Sequence, residues 1–141
     1  MLPFPFSRSE WQVVTNQLSE FLRVDAAQLL LENRRKLQRI LSALDEQYGE
    51  HPVLLETEAD WLFDSPYKRL SKYRRAEYVA QANGLPTYSI RLSIAEICLS
   101  LDKPNDAIDA LRNCECELFN VPWYEQDKWH RLLADTEKRI T

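Results

Sequence analysis

Only two glycines occur in the 141 residues, Gly49 and Gly84. Tight β-hairpins, glycine-rich phosphate loops and dinucleotide-binding turns all use glycine for positive φ. Neither residue stands in a GxGxxG or GxxxxGK pattern, which leaves no recognisable nucleotide cradle. Cysteine is also scarce: Cys98, Cys114 and Cys116 are an odd number and do not suggest a disulfide framework. No apolar run approaches the roughly 18 residues needed to span a bilayer. The opening Met1-Leu2-Pro3-Phe4-Pro5-Phe6 has no basic leader, so a cytoplasmic location is expected. With a net charge of −4, bulk electrostatics provide no general attraction to nucleic acid or anionic membrane. No GxSxG or HExxH motif is present, so no enzymatic activity is expected.

What is present is helical periodicity. Ser7 and Glu10 form a capping-box pattern, followed by Trp11, Val14, Leu18, Phe21 and Leu22 on one stripe as far as about Arg23. Asp25 and Gln28 have the same cap spacing and open a second stretch with Leu30, Leu37, Leu41, Leu44 and Tyr48 in phase, closed by Gly49. These stretches predict an N-terminal helix pair over 8–48. Before it, Leu2-Pro3-Phe4-Pro5-Phe6 is barred from helix by its prolines. Its apolar side chains call for docking, either on the chain's own helices or on a second copy as a homodimer arm.

Beyond Gly49 a repeat emerges. Pro52, Pro86 and Pro122 each precede an amphipathic segment and lie 34 and 36 positions apart. Between them fall two helix-sized segments per unit: 53–64 and 67–82, turning at Ser65-Pro66, then 87–101 and 105–119, turning at Asp102-Lys103-Pro104-Asn105. A last helix over about 122–140 carries Trp129, Leu132, Leu133, Thr136 and Ile140 on one side. A period in the mid-thirties with two helices per unit is typical of helical solenoids.

The run from Ile94 to Leu111, IAEICLSLDKPNDAIDAL, resembles a tetratricopeptide repeat. Ala95 takes the small position where paired helices touch, and Asp106-Ala107-Ile108 matches the acidic-Ala-aliphatic opening of the second helix. Close backbone approach at Ala95 and Ala107 is the physical content of that match. Arg91 departs from the family's usual aromatic and Asp102 from its frequent glycine. The unit over 51–85 matches less fully: Ala59 supplies the small contact, while Ser71 or Leu70 replaces the second helix's alanine. The expected fold is therefore all-α, a single domain of stacked antiparallel hairpins (51–85 and 86–119). The 8–48 pair precedes it and a capping helix over 120–141 closes it.

The stripe Glu56-Asp60-Asp64 follows from i, i+4 spacing alone. The resemblance implies that groove-facing positions fall on Glu56, Asp60, Phe63 and Asp64, and in the next unit on Leu92, Glu96 and Leu99. Such a face would suit a basic, partly apolar segment of a protein partner, and the chain reads as an adaptor, scaffold or chaperone-like binding module. It lacks the Lys and Asn array that clamps a C-terminal carboxylate in that family. The alternative is nucleic-acid binding by the basic segments at 34–39 and 68–75, where Lys68, Lys72 and Arg75 share a helix face among Tyr67, Tyr73 and Tyr78. Residues two apart on a helix point about 200° from each other. Cys114 and Cys116 therefore read as hydrophobic filling, with no metal or cofactor expected. His51 and His130 read as surface or cap residues.

Overall fold

The computed structural model describes residues 1–140; Thr141, the last residue of the expected capping segment, lies outside them. Among the described residues the chain is all-helical: α1 (Arg8–Glu20), α2 (Leu30–Tyr48), α3 (Pro52–Trp61), α4 (Pro66–Ala82), α5 (Tyr88–Ser100), α6 (Pro104–Asn113), a 3-10 helix (Glu115–Asn120) and α7 (Trp123–Ile140). Each α-helix packs on its neighbours in sequence, and α5 also meets α7.

Local chemistry sets the helix starts. Ser7 caps α1, its side chain accepting from the Glu10 amide at 3.1 Å while Glu10 Oε1 accepts from the Ser7 amide at 2.8 Å. The His51 ring caps α3, with Nδ1 accepting from the Val53 amide at 3.1 Å. Nδ1 being an acceptor, the proton sits on Nε2, which donates to the Leu2 carbonyl at 2.9 Å. Proline at the first helical position opens α3, α4 and α6, where its missing N–H costs nothing.

Helix ends depart from expectation in three places. α1 stops at Glu20 rather than near Arg23, because the amides of Phe21, Leu22 and Arg23 bond three residues back, to Leu18, Ser19 and Glu20. Leu22 thus leaves the apolar stripe and is exposed. Asp25 does not cap α2. Arg23 Nε holds its carboxylate at 3.6 Å, its backbone carbonyl takes the Gln28 and Leu29 amides in a turn, and the helix waits until Leu30. The expected second helix at 105–119 breaks after Asn113. Cys114 is buried there, and its Sγ donates to the Leu111 carbonyl at 3.4 Å. The following 3-10 turn places Glu117 to accept from the Thr87 amide and hydroxyl at 2.9 and 2.6 Å.

Two apolar clusters hold the helices. One joins Phe6, Val14, Leu37, Leu41, Leu44 and Leu54. The N-terminal arm docks here on its own chain: Phe6 stacks on Trp11 and meets Tyr48 and His51 edge-on, with ring centroids 5.1–5.4 Å apart. The larger cluster spans α3 to α7. α3 serves both, with Leu54 turned to the first and Leu55 and Ala59 to the second. Ala59, Ala95 and Ala107 are all fully buried, as close helix approach requires. In the first hairpin Leu70 rather than Ser71 packs on the core. α7 docks through Trp129, whose Nε1 donates to the Leu111 carbonyl at 2.9 Å, and through Leu132 and Leu133. Ile140 at its end is exposed rather than on the docked stripe.

Arg91 and Asp102 each have a structural role. Arg91 is buried, with Nε on Glu77 at 2.9 Å and NH1 donating to the Asn113 carbonyl at 2.8 Å, so it ties α5 to α4 and to the end of α6. Asp102 has φ +57. With Lys103 N bonding to Cys98 O at 2.7 Å and Asp102 N to Leu99 O at 3.1 Å, it occupies the left-handed position of a Schellman cap. Gly84, at φ +67, does the same after α4, with Leu85 N on Ala80 O at 2.8 Å.

Candidate functional site

Three adjoining cavities form one open cleft between α3, α5 and α7, with α4 beneath. The first, about 390 Å³, is bordered by Glu56, Tyr88, Ser89, Leu92 and Tyr124. The second, about 450 Å³, is bordered by Asp60, Arg69, Tyr73, Glu96 and Lys128. The third, about 330 Å³, runs on past Glu96 and Lys128 to Asp135. Along the cleft the carboxylates Glu56, Asp60, Glu96, Glu125, Asp127 and Asp135 outnumber the cations Arg69, Lys128 and Arg131.

Pairing within the cleft is uneven. Lys128 Nζ lies 2.7 Å from Glu96, and Arg131 Nε lies 3.0 Å from Asp127. Glu56, half-buried, has no cation within 4.0 Å among the described residues; its hydrogen-bond partner is the Ser89 hydroxyl at 3.4 Å. Burial raises its pKa, with the Asp60 charge adding to the effect. Among the described residues Asp60 likewise forms no salt bridge; it accepts from the buried Tyr73 hydroxyl. Desolvation raises its pKa against the opposing effects of that hydrogen bond and of the Arg69 and Lys128 charges. Tyr73 is pushed up to about 12 by burial and by the Asp60 carboxylate, so it remains a neutral donor. Arg69 supports the floor from α4, donating from Nε to the Ala59 carbonyl at 3.0 Å.

Of the seven positions expected to face a groove, the cleft lining includes Glu56, Asp60, Leu92 and Glu96. Phe63, Asp64 and Leu99 lie elsewhere. α3 ends at Trp61, so the i, i+4 progression that carries Glu56 to Asp60 no longer holds at 64. Asp64 turns instead to Arg34 NH2 at 2.8 Å, which holds its carboxyl below the usual range. Leu99 is buried in the core, and Arg139 NH1 donates to its carbonyl at 3.1 Å.

Sequence reasoning missed the whole contribution of α7, which it treated as a cap. The signal was available: Lys128, Arg131 and Asp135 recur at i, i+3, i+7 beside the Trp129 stripe, a charged edge next to a docked face.

Several cations of the basic segments have their own counter-ions. Lys72 Nζ lies 2.9 Å from Glu58, Arg75 makes a bidentate contact with Glu50, and Lys36 lies 3.3 Å from Glu32. Tyr73 points inward, while Tyr67 and Tyr78 are exposed beneath Lys103 and Arg75. Lys68 sits in the first turn of α4, its amide capped by Ser65. Cys98 and Cys114 are buried and Cys116 is exposed; burial pushes the Cys114 thiol up to about 11. Among the described residues no three His, Cys, Asp or Glu converge on a common point for a metal, and no helix is long and apolar enough to cross a membrane.

Comparison with protein families, with curated proteins and with solved structures found no match to this chain.

Proposed function

We propose that this chain is a non-enzymatic protein-interaction module, built on tetratricopeptide-like hairpins, that receives a basic, partly apolar segment in the α3–α5–α7 cleft. The observation that carries the reading is the pair Glu56 and Asp60. Among the described residues Glu56, partly desolvated, has no cation within 4.0 Å; Asp60, one helical turn on and more exposed, forms no ion pair within that distance, although the charges of Arg69 and Lys128 act on it across the cavity. Elsewhere in the same helices carboxylates are paired: Glu58 with Lys72, Glu77 with Arg91 and Glu96 with Lys128. Leaving charge desolvated and unpaired costs stability, and a cation from a partner would recover that cost on binding. Leu92 supplies an apolar contact beside Glu56.

The nucleic-acid alternative draws less support. Phosphate tracking needs cations free to displace counter-ions, and Lys72 and Arg75 are already engaged by Glu58 and Glu50. The test is selection from a random displayed-peptide library. Lysine- and arginine-bearing sequences should be enriched, and Asp60→Lys/Glu96→Lys should abolish that enrichment in a folded protein. Enrichment of neutral or acidic peptides, or indifference to the charge reversal, would overturn the reading.

A further inference from the structure

Within the cleft one compartment differs from the rest. The cavity of about 390 Å³ at the start of α7 is bordered by two tyrosines, Tyr88 and Tyr124, together with Leu92 and Ser89. Tyr88 is held in place by its hydroxyl, which donates to the Glu125 carbonyl at 3.2 Å. Among the described residues, two carboxylates border this space without a cation within 4.0 Å, Glu56 and Glu125. The two cations that also border it are committed, Lys128 to Glu96 at 2.7 Å and Arg131 to Asp127 at 3.0 Å. The second compartment differs, since Lys128 and Arg69 stand inside it among Asp60 and Glu96.

Two tyrosines, a leucine and a carboxylate without a neighbouring cation around one cavity together favour a flat, weakly hydrated cation. A guanidinium meets that description better than an ammonium. It stacks on aromatic faces, loses less hydration on entry, and engages a carboxylate through two parallel N–H bonds. The geometry points to an arginine side chain of the bound segment entering between Tyr88 and Tyr124, with its guanidinium on the Glu56 carboxylate. This assignment rests on the cleft being the binding surface, and it names the anchor within it. Asp60 and Glu96, farther along, then orient the rest of the segment.

The test uses the full chain and two small probes, N-acetyl-arginine amide and its neutral isostere N-acetyl-citrulline amide, followed by amide NMR shifts. The arginine probe should produce saturable shifts at Ser89, Leu92 and Glu125 in the millimolar range. Glu56→Gln, which keeps the shape of the side chain, should weaken it roughly tenfold. Tyr124→Ala, a change at an exposed ring, should weaken it several-fold while leaving the remaining spectrum in place. Citrulline amide should bind no better than arginine amide does to Glu56→Gln. Equal shifts from both probes, or undiminished binding by Glu56→Gln, would overturn the assignment. Loss of peptide enrichment in Asp60→Lys/Glu96→Lys combined with no arginine-probe binding would refute the anchor alone and keep the cleft. Probe binding at Glu56 without any peptide enrichment would support the anchor site and remove the segment-binding reading.

Discussion

Asp102 offers a sharp test of how the α5–α6 hairpin is closed. Its φ of +57 places an L-residue in the left-handed region at the end of α5, where the matching position after α4 is Gly84 at φ +67. Left-handed backbone costs most side chains about 1–2 kcal/mol, and aspartate somewhat less because its short side chain tolerates it. A carboxylate at a helix C-terminus adds roughly 0.3–1 kcal/mol of unfavourable dipole interaction. Replacing it by glycine removes both, while the looser unfolded chain takes back about 0.4–1 kcal/mol. Asp102→Gly should therefore stabilise by about 0.5–1 kcal/mol. Asp102→Ala removes the same charge but keeps a Cβ, so the glycine–alanine difference isolates the backbone and should be about 1 kcal/mol in favour of glycine. At position 84 an added Cβ meets nothing within 4 Å, and Gly84→Ala should lose about the same amount through backbone strain alone. Urea denaturation of these three variants and the wild type measures these differences, and each kcal/mol should shift the melting temperature by about 3–4 °C. An Asp102→Ala variant as stable as Asp102→Gly would refute the reasoning, because the positive φ would then cost no more than glycine's looser unfolded chain.

Three further outcomes follow from the packing and the cleft. Trp129→Ala should cost about 3–5 kcal/mol, since it empties a buried indole site and leaves the Leu111 carbonyl without that donor; a loss below about 1 kcal/mol in urea melts would show that α7 is not part of the cooperative unit. Arg91→Ala should cost about 3 kcal/mol by removing the donor to the Asn113 carbonyl and leaving Glu77 only the looser Arg74 contact at 3.6 Å, and a double-mutant cycle with Glu77→Ala should return coupling above about 1 kcal/mol; additive losses would refute the pair. Glu56 and Asp60 have raised pKa values in the fold, so the folded state binds more protons than the unfolded one just above their ordinary values. Their contribution to stability therefore improves as pH falls through that window and worsens as pH rises out of it. Glu56→Gln should be more stable than wild type at neutral pH, with the gap closing toward acid; a gap that widens toward acid would reverse the sign.

How much of this was legible beforehand differs by element. The Ser7–Glu10 cap, the proline-led starts of α3, α4 and α6, and the apolar stripe of Trp129, Leu132 and Leu133 depend on residues within a turn or two of each other, and each reads from the chain alone. The alanines at 59, 95 and 107 were readable because only a small side chain permits close helix approach. The misreadings share a cause. Asp25 has a cap's spacing but gives its carboxylate to Arg23, and Asp64 keeps the i, i+4 spacing although α3 has already ended. In both, competition for one side chain decided the outcome.

Sequence by itself determined the helical class, most helix starts and two carboxylates that share a cleft, because these follow from periodicity and short-range hydrogen bonding. Only the tertiary structure decided which charges are neutralised. Arg75 meets Glu50, Lys128 meets Glu96, and Glu56 has no cation beside it. Ion pairing depends on side chains brought together from distant helices, and no local pattern records which of them arrive.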